Sequence, residues 1–283
     1  MIKIDLDPSL RNVKEKDIFE ECANDFKKKS TLDTKTHALQ HSDDVQKCSD
    51  SYKTNVPYNI ANLYTVPNLP VEHYKKIYEQ KFRNQQDIRE KYYDKLMARI
   101  TCPVCGCGRV KNLDHFLPIS EFPLLCVTPI NLVPTCRDCN MEKNASTGTS
   151  YHDIPFHPYF ETINDVFLEC DIKFHQDGTI EFDFKNCYNG NSDMKKKYEK
   201  HISINNLNDT YFSRALSTLN SQKSRFRELL HSAGKYSVSE DLLSFKKSAD
   251  IRDINSWESA VYHSLNENID DFCDWLDTPD VFC

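Results

Sequence analysis

Apolar positions recur every three to four residues through most of the chain, and strict alternation is confined to short runs. Ile18, Cys22 and Phe26 stand four apart and predict an amphipathic helix over 17–29. Lys27, Lys28 and Lys29 fall at its end, where cations complement the helix dipole. Residues 30–56 are polar and weakly periodic, and read as a loop or as a short helix around 36–47. His37 and His41 sit four apart there, but no third ligand lies near them in sequence, so a solvated surface is expected. The stretch 57–70 closes on Pro67 and Pro70 and reads as an extended connector. Tyr74, Ile77, Tyr78, Phe82, Ile88, Tyr92, Leu96 and Ile100 then predict one long helix over 71–100. That stripe is a core face, and the interleaved Lys, Arg, Asp and Glu are its solvated side.

Strand periodicity appears later. Ile172 and Phe174 alternate with charges, Asp177-Gly178 supplies a turn, and Ile180, Phe182 and Phe184 alternate on the return, which predicts a β-hairpin over 171–184. From Ser192 the pattern is helical again. A helix beginning at Asp209 carries Phe212, Leu216, Leu219, Phe226 and Leu230 and ends at Gly234 as its cap. Further apolar stripes run through 238–245 and through Trp257, Val261, Leu265, Ile269, Phe272 and Leu276, before Thr278-Pro279 stops the last helix. Trp257 and Trp275 both fall in that final helix, where core packing is expected. No internal repeat or coiled-coil heptad run is present.

A chain of 283 residues can bury a core and hold two or three lobes. With 6 glycines, 39% hydrophobic and 28% charged residues, it is expected to be helix-rich. No run approaches the roughly 20 apolar residues that span a bilayer. The opening residues are charged throughout and lack the apolar region of a signal peptide, so a cytoplasmic location and no membrane association are expected. A net charge of −7 argues against coating nucleic acid by bulk attraction. It leaves room for a local basic groove, or for a partner that grips the nucleic acid.

Among 12 cysteines, two Cys-x-x-Cys pairs stand out: Cys102 with Cys105, and Cys136 with Cys139. In a chain without a secretion signal such pairs favour metal over disulfides, and four thiolates satisfy a tetrahedral zinc ion with no open position. Such an ion is structural. Cys107 could replace Cys105, but a two-residue gap lets both sulfurs of one turn face the same ion. Redox chemistry is disfavoured because neither pair is expected at a strand-to-helix junction of thioredoxin type. The remaining cysteines read as buried or incidental thiols. Between the pairs, 113–118 reads as a strand and 131–134 as a second. A helix from about Arg137 carries Asn140, Lys143 and Asn144, so that a hairpin lies against one helix and the ion pins the open ends. On the plainest reading, Asp114 and His115 merely hydrogen-bond a zinc-ribbon turn.

The run DHFLP, NLVP and C-x-x-CN-x-x-K places Asp114-His115, Asn131 and Asn140 in order between the cysteine pairs. It resembles an HNH endonuclease of the ββα-metal type, in the form whose third letter is Asn, over roughly residues 95–160. The implied fold class is α+β: a small zinc-stabilised ββα-metal core over 95–160, a helical region over 1–94, and an extra β-hairpin with a helical region over 161–283. The resemblance implies that Asp114 and Asn140 coordinate one catalytic Mg2+ or Mn2+, and that His115 is the general base for an attacking water. It further implies that the backbone or side-chain oxygen of Asn131 orients the imidazole, that Lys143 grips a phosphate, and that Asn144 is a second, less central ligand. His157, between an aromatic residue and Pro158, reads as a packing or capping residue ahead of a catalytic one.

The implied activity is hydrolysis of DNA phosphodiesters. The alternative is a non-catalytic zinc-stabilised adaptor that binds a partner through its helical lobes. The strings KLMARITCPVCG, LDHFLPISEFP and HPYF are similar to the HNH subunit of bacterial anti-phage systems of the Septu type, including retron-linked versions. That similarity implies an ATPase partner.

Overall fold

The structure is a computed structural model that describes residues 1–143, 148 and 150–279. Among these residues it is a mixed α+β architecture, mostly helical, with two two-stranded antiparallel sheets. The chain divides into two compact units, residues 2–162 and, with Met1, residues 163 onward. The sequence boundaries drawn at 94/95 and 160/161 thus compare with one division at 162/163. Among the described residues no helix is long and apolar enough to cross a membrane.

The first unit holds α1 (Glu15–Asn24), α2 (Leu32–Gln40), α3 (Ser42–Asn55), α4 (Val71–Lys76), α5 (Gln86–Ile88), α6 (Asp94–Leu96), β1 (Asn112–His115), β2 (Leu132–Thr135) and α7 (Arg137–Lys143). Helix α1 buries Ile18, Phe19 and Cys22, with Phe26 buried just beyond its end. It stops short of Lys27–Lys29 because Lys81 Nζ anchors Asp25, donating to its carbonyl at 3.0 Å and its carboxylate at 2.6 Å. Glu15 is buried at the start of α1 and satisfied from α3, by Lys53 Nζ at 2.8 Å and Gln46 Nε2 at 3.1 Å.

Residues 30–56 fold as α2 and α3, two helices where a loop or one short helix over 36–47 is expected. Their buried face is Thr34, Ala38, Ser42, Val45, Cys48, Ser49 and Tyr52, helical in spacing but built largely from small or polar side chains. His37 is not on an open surface: its ring centroid lies 4.8 Å from that of His41 and 5.2 Å from that of His73 on α4. Burial first, then His41 and His73, holds its imidazole below the ordinary value.

The single helix expected over 71–100 is broken. After α4 the backbone widens into π turns over Ile77–Phe82, breaks, restarts at α5 where the Gln85 side chain accepts from Ile88 N at 2.7 Å, widens again over Arg89–Tyr93, and ends with α6. The six-residue gap between Phe82 and Ile88 would set them about 240° apart on a continuous helix. The break returns both to the core, where Phe82 stacks on Tyr78 and Tyr92. Ile100 lies outside the stripe it was assigned to and is 77% exposed.

The second unit holds β3 (Leu168–Phe174), β4 (Ile180–Asn186), α8 (Ser192–Ile204), α9 (Leu207–Arg252), α10 (Trp257–Glu267) and α11 (Ile269–Leu276). Cys170 pairs with Phe184 and Phe174 with Ile180, so the hairpin is that expected from sequence, begun three residues earlier. Helix α9 is interrupted at Gly234, whose φ of 81° and ψ of 174° leave the helical region, as the predicted cap requires. The final helix is in fact two, so Trp257 and Trp275 lie on different helices. Asn268 makes the break, at φ −107° and ψ 40°, its backbone N and side-chain amide both donating to Ser264 O, at 3.0 and 2.8 Å. Trp275 packs among Phe174 and Phe272 and donates to Gly178 O at 2.8 Å.

Candidate functional site

The two Cys-x-x-Cys turns flank the hairpin β1–β2, whose register pairs Asn112 with Thr135 and His115 with Leu132. Cys102 and Cys105 lie before β1, Cys136 follows β2, and Cys139 is in the first turn of α7, so the second pair does stand at a strand-to-helix junction, contrary to expectation, and what separates it from a redox pair is its convergence with the first. All four sulfurs lie within 4.8 Å of one another and are buried. Sulfurs at about 2.3 Å from a tetrahedral zinc are about 3.8 Å apart, and Cys105 Sγ stands 3.8 Å from Cys136 Sγ. The quartet is therefore a candidate zinc site, and Cys107 is outside it.

Backbone amides shape this centre. Gly106 N donates to Cys102 O at 2.9 Å with Gly106 at φ 73°, Gly108 N donates to Cys105 Sγ at 3.3 Å, and Cys139 N to Cys136 Sγ at 3.4 Å. Hydrogen bonding among the four buried thiols pulls Cys105 and Cys136 below the ordinary thiol value and pushes Cys102 and Cys139 above it, as expected where the thiols share protons within one cluster. Gly108 has no substitute: a Cβ there would lie 2.6 Å from Cys136 Cβ.

Asp114 and His115 end β1, and α7 packs against that strand. His115 Nε2 is 2.9 Å from Cys126 O. A carbonyl only accepts, so Nε2 carries the proton and Nδ1 keeps its lone pair. Tyr78 stands edge-on to the imidazole at 4.4 Å and donates its hydroxyl to Leu113 O at 3.2 Å. Burial pushes the His115 imidazole down to about 4, so the ring is neutral at neutral pH. Burial raises the Asp114 carboxyl, opposed by Lys143.

Two expected roles change, while His157 keeps the one expected of it. The Asn131 side chain does not hold the imidazole. Fully buried, it accepts from Leu117 N at 2.9 Å and donates to Leu117 O at 3.0 Å and Leu125 O at 3.4 Å, while its backbone oxygen accepts from Phe116 N at 2.8 Å. It staples the loop that returns Cys126 to His115, and acts on the ring only through that loop. Lys143 does not reach outward for phosphate. Its ammonium is buried, 2.8 Å from Asp114 Oδ2 and 2.7 Å from His115 O. His157 is a packing residue: Nδ1 accepts from Tyr159 N at 3.2 Å, Nε2 meets Tyr52 Oη at 2.7 Å, and the ring lies 4.1 Å from that of Phe116.

Asn140 is half-buried in the first turn of α7, three residues before Lys143 and on the same side of the helix. Asn144 lies outside the described residues. Sequence reasoning missed Cys126, which acts through a backbone oxygen that no side chain advertises, and Tyr78, which is indistinguishable by spacing from the rest of its core stripe.

No family model matches the chain, and no solved structure matches it. Protein ea31 of Escherichia phage lambda is similar to it, 30% identical over 226 residues that make up 73% of this chain and 75% of that protein. A likeness of that degree, sustained over about three quarters of both sequences, makes this chain a member of the family of Protein ea31.

Proposed function

We propose that the chain is a metal-dependent HNH endonuclease acting on DNA, with the hairpin β1–β2 and α7 as its ββα core. The observation that carries this reading is the His115 imidazole, neutral and fixed through Nε2 on Cys126 O, with no hydrogen bond to Nδ1 among the described residues. A histidine held in one tautomer by a carbonyl is prepared to take a proton at its other nitrogen. His115 Nδ1 would remove a proton from the attacking water as the oxygen bonds to phosphorus and the bond to the 3′ oxygen breaks. Tyr78 and Cys126 O keep the ring from turning, and Asn131 keeps the Cys126 loop in place.

The oxygen donors Asp114 and Asn140 suit a hard divalent cation rather than a thiophilic one, and such a cation would take the place of the Lys143 ammonium on Asp114. Such a cation, Mg2+ or Mn2+, would supply charge neutralisation at the phosphate and the leaving oxygen. The thiol quartet would hold a zinc ion that fixes the hairpin against α7 and takes no part in the reaction.

The test is cleavage of supercoiled plasmid by the zinc-loaded chain in Mg2+ or Mn2+. Wild type is expected to nick or linearise it, and His115→Ala to leave it intact at the same zinc content. Absence of cutting by wild type with either cation overturns the nuclease reading. One observation favours a non-catalytic adaptor instead: Asp114 is already satisfied by Lys143. An adaptor would keep its biological effect in a His115→Ala, Asn140→Ala double variant. Action with an ATPase in anti-phage defence extends the proposal from sequence similarity, and co-purification at native levels tests it.

A further inference from the structure

Three histidines meet where α2, α3 and α4 pack in the first unit, and neither the thiol quartet nor the hairpin uses them. His37 and His41, four apart, present ring centroids 4.8 Å from each other, and His73 comes within 5.2 Å of His37. Two of the three are already oriented through one nitrogen. His41 Nδ1 is 3.0 Å from Asp44 Oδ2, and His73 Nδ1 is 2.7 Å from Thr34 Oγ1. His41 is left with Nε2 as its other donor and His73 turns its Nε2 toward Asp33, the pattern by which a carboxylate or hydroxyl steadies a metal-binding imidazole. Asp33 Oδ2, 3.4 Å from His73 Nε2, adds an oxygen donor at the same place.

The decisive feature is an unmet need. His37 Nε2 is buried without a hydrogen-bond partner, and so is Tyr74 Oη, on a ring 6.0 Å from that of His37. Buried polar atoms are nearly always satisfied, so two orphans beside three imidazoles ask for a missing occupant.

We propose that His37, His41 and His73 form a second metal site, for a borderline divalent ion of the zinc, nickel or cobalt class. Imidazole donors select such ions over Mg2+ or Ca2+, which want oxygen. Among the described residues only the thiol quartet already has its ligand atoms gathered within 4.8 Å, so binding here would draw the nitrogens together chiefly by rotation of His37, the ring whose Nε2 has no hydrogen-bond partner. The ion would cross-link α2 to α4. The site stands whether or not the chain is a nuclease.

The test is calorimetric titration of Ni2+ into the full chain already carrying one zinc, for wild type, His37→Gln and His73→Gln. One Ni2+ per chain is expected for wild type, with at least tenfold weaker binding in either variant and zinc retained in all three. Failure of wild type to bind Ni2+, or nickel uptake matched by zinc release, overturns the site. Undiminished binding by His73→Gln also overturns it, because α2 alone would then suffice. A second readout needs no variant: Ni2+ should broaden the ring proton NMR signals of these three histidines first, and equal broadening of all ten histidines would refute the assignment.

Discussion

Replacing Lys143 by methionine keeps a long apolar stem and removes the charge beside Asp114. The ammonium is 2.8 Å from the carboxylate, with side-chain exposures of 7% and 16%. At an effective dielectric of about 20, unit charges this close attract by roughly 6 kcal/mol before desolvation is counted. Removing one partner of a buried pair costs about 3–5 kcal/mol net, because the other charge stays buried and alone. Asp114 can escape part of that cost by taking up a proton, since burial already raises its carboxyl and Lys143 is what opposes the rise. Lys143→Met is therefore expected to unfold about 3 kcal/mol more easily in urea without added divalent cation. Mg2+ or Mn2+ should then recover more stability in the variant than in wild type, because the carboxylate released from the ammonium is the one the cation would use. A ligand at about a hundred times its Kd contributes about 2.7 kcal/mol, well within reach of the assay. Equal stabilisation of the two proteins by the cation would refute the assignment of Asp114 as its ligand. A variant within about 0.5 kcal/mol of wild type would refute the burial argument.

The remaining predictions concern zinc, the loop and pH. Gly108→Ala forces a methyl to within 2.7 Å of Cys136 Sγ, so the purified variant should carry well under one zinc per chain by metal analysis; full occupancy would contradict the geometry of the quartet. Asn131→Ala leaves Leu117 N and O without their side-chain partner. It should cost about 3 kcal/mol in urea unfolding, and a loss under about 1 kcal/mol would show that the loop stands without the staple. Burial holds the His115 imidazole down at about 4 in the folded chain, against an ordinary value of 6.5. The unfolded chain therefore binds the proton first as pH falls. The stability contributed by this group is complete above about pH 6.5 and is lost towards pH 4, by about 3 kcal/mol at most. Urea midpoints for wild type and His115→Gln, without added Mg2+, should converge over that window, and parallel curves would contradict the burial of the ring.

Much of this arrangement was legible because it depends on residue identity at fixed spacing. Two cysteine pairs announced a convergent set of sulfurs, Gly234 announced a helix end, and alternation around Asp177-Gly178 announced a hairpin. What was not legible depends on partners far away in sequence. Helices α2 and α3 hid because Thr34, Ser42 and Ser49 bury polar side chains; Ser49 Oγ meets Thr128 Oγ1 at 2.8 Å, a partner no local window contains. His73 hid as a ligand candidate because 32 residues separate it from His41. The phosphate role of Lys143 rests on family resemblance alone, and only the packing of α7 on β1 turns the side chain inward. The gap between Phe82 and Ile88 did carry its signal, since a six-residue step breaks the helical period.

The central claim is that His115, held through Nε2 on Cys126 O, takes the proton from water at Nδ1. The direct measurement is plasmid cleavage in Mg2+ by His115→Gly with and without free imidazole, at matched zinc content. The account predicts a rate at least about 100-fold below wild type, with partial and saturable recovery as imidazole is added. Cleavage by His115→Gly at the wild-type rate without imidazole would contradict it.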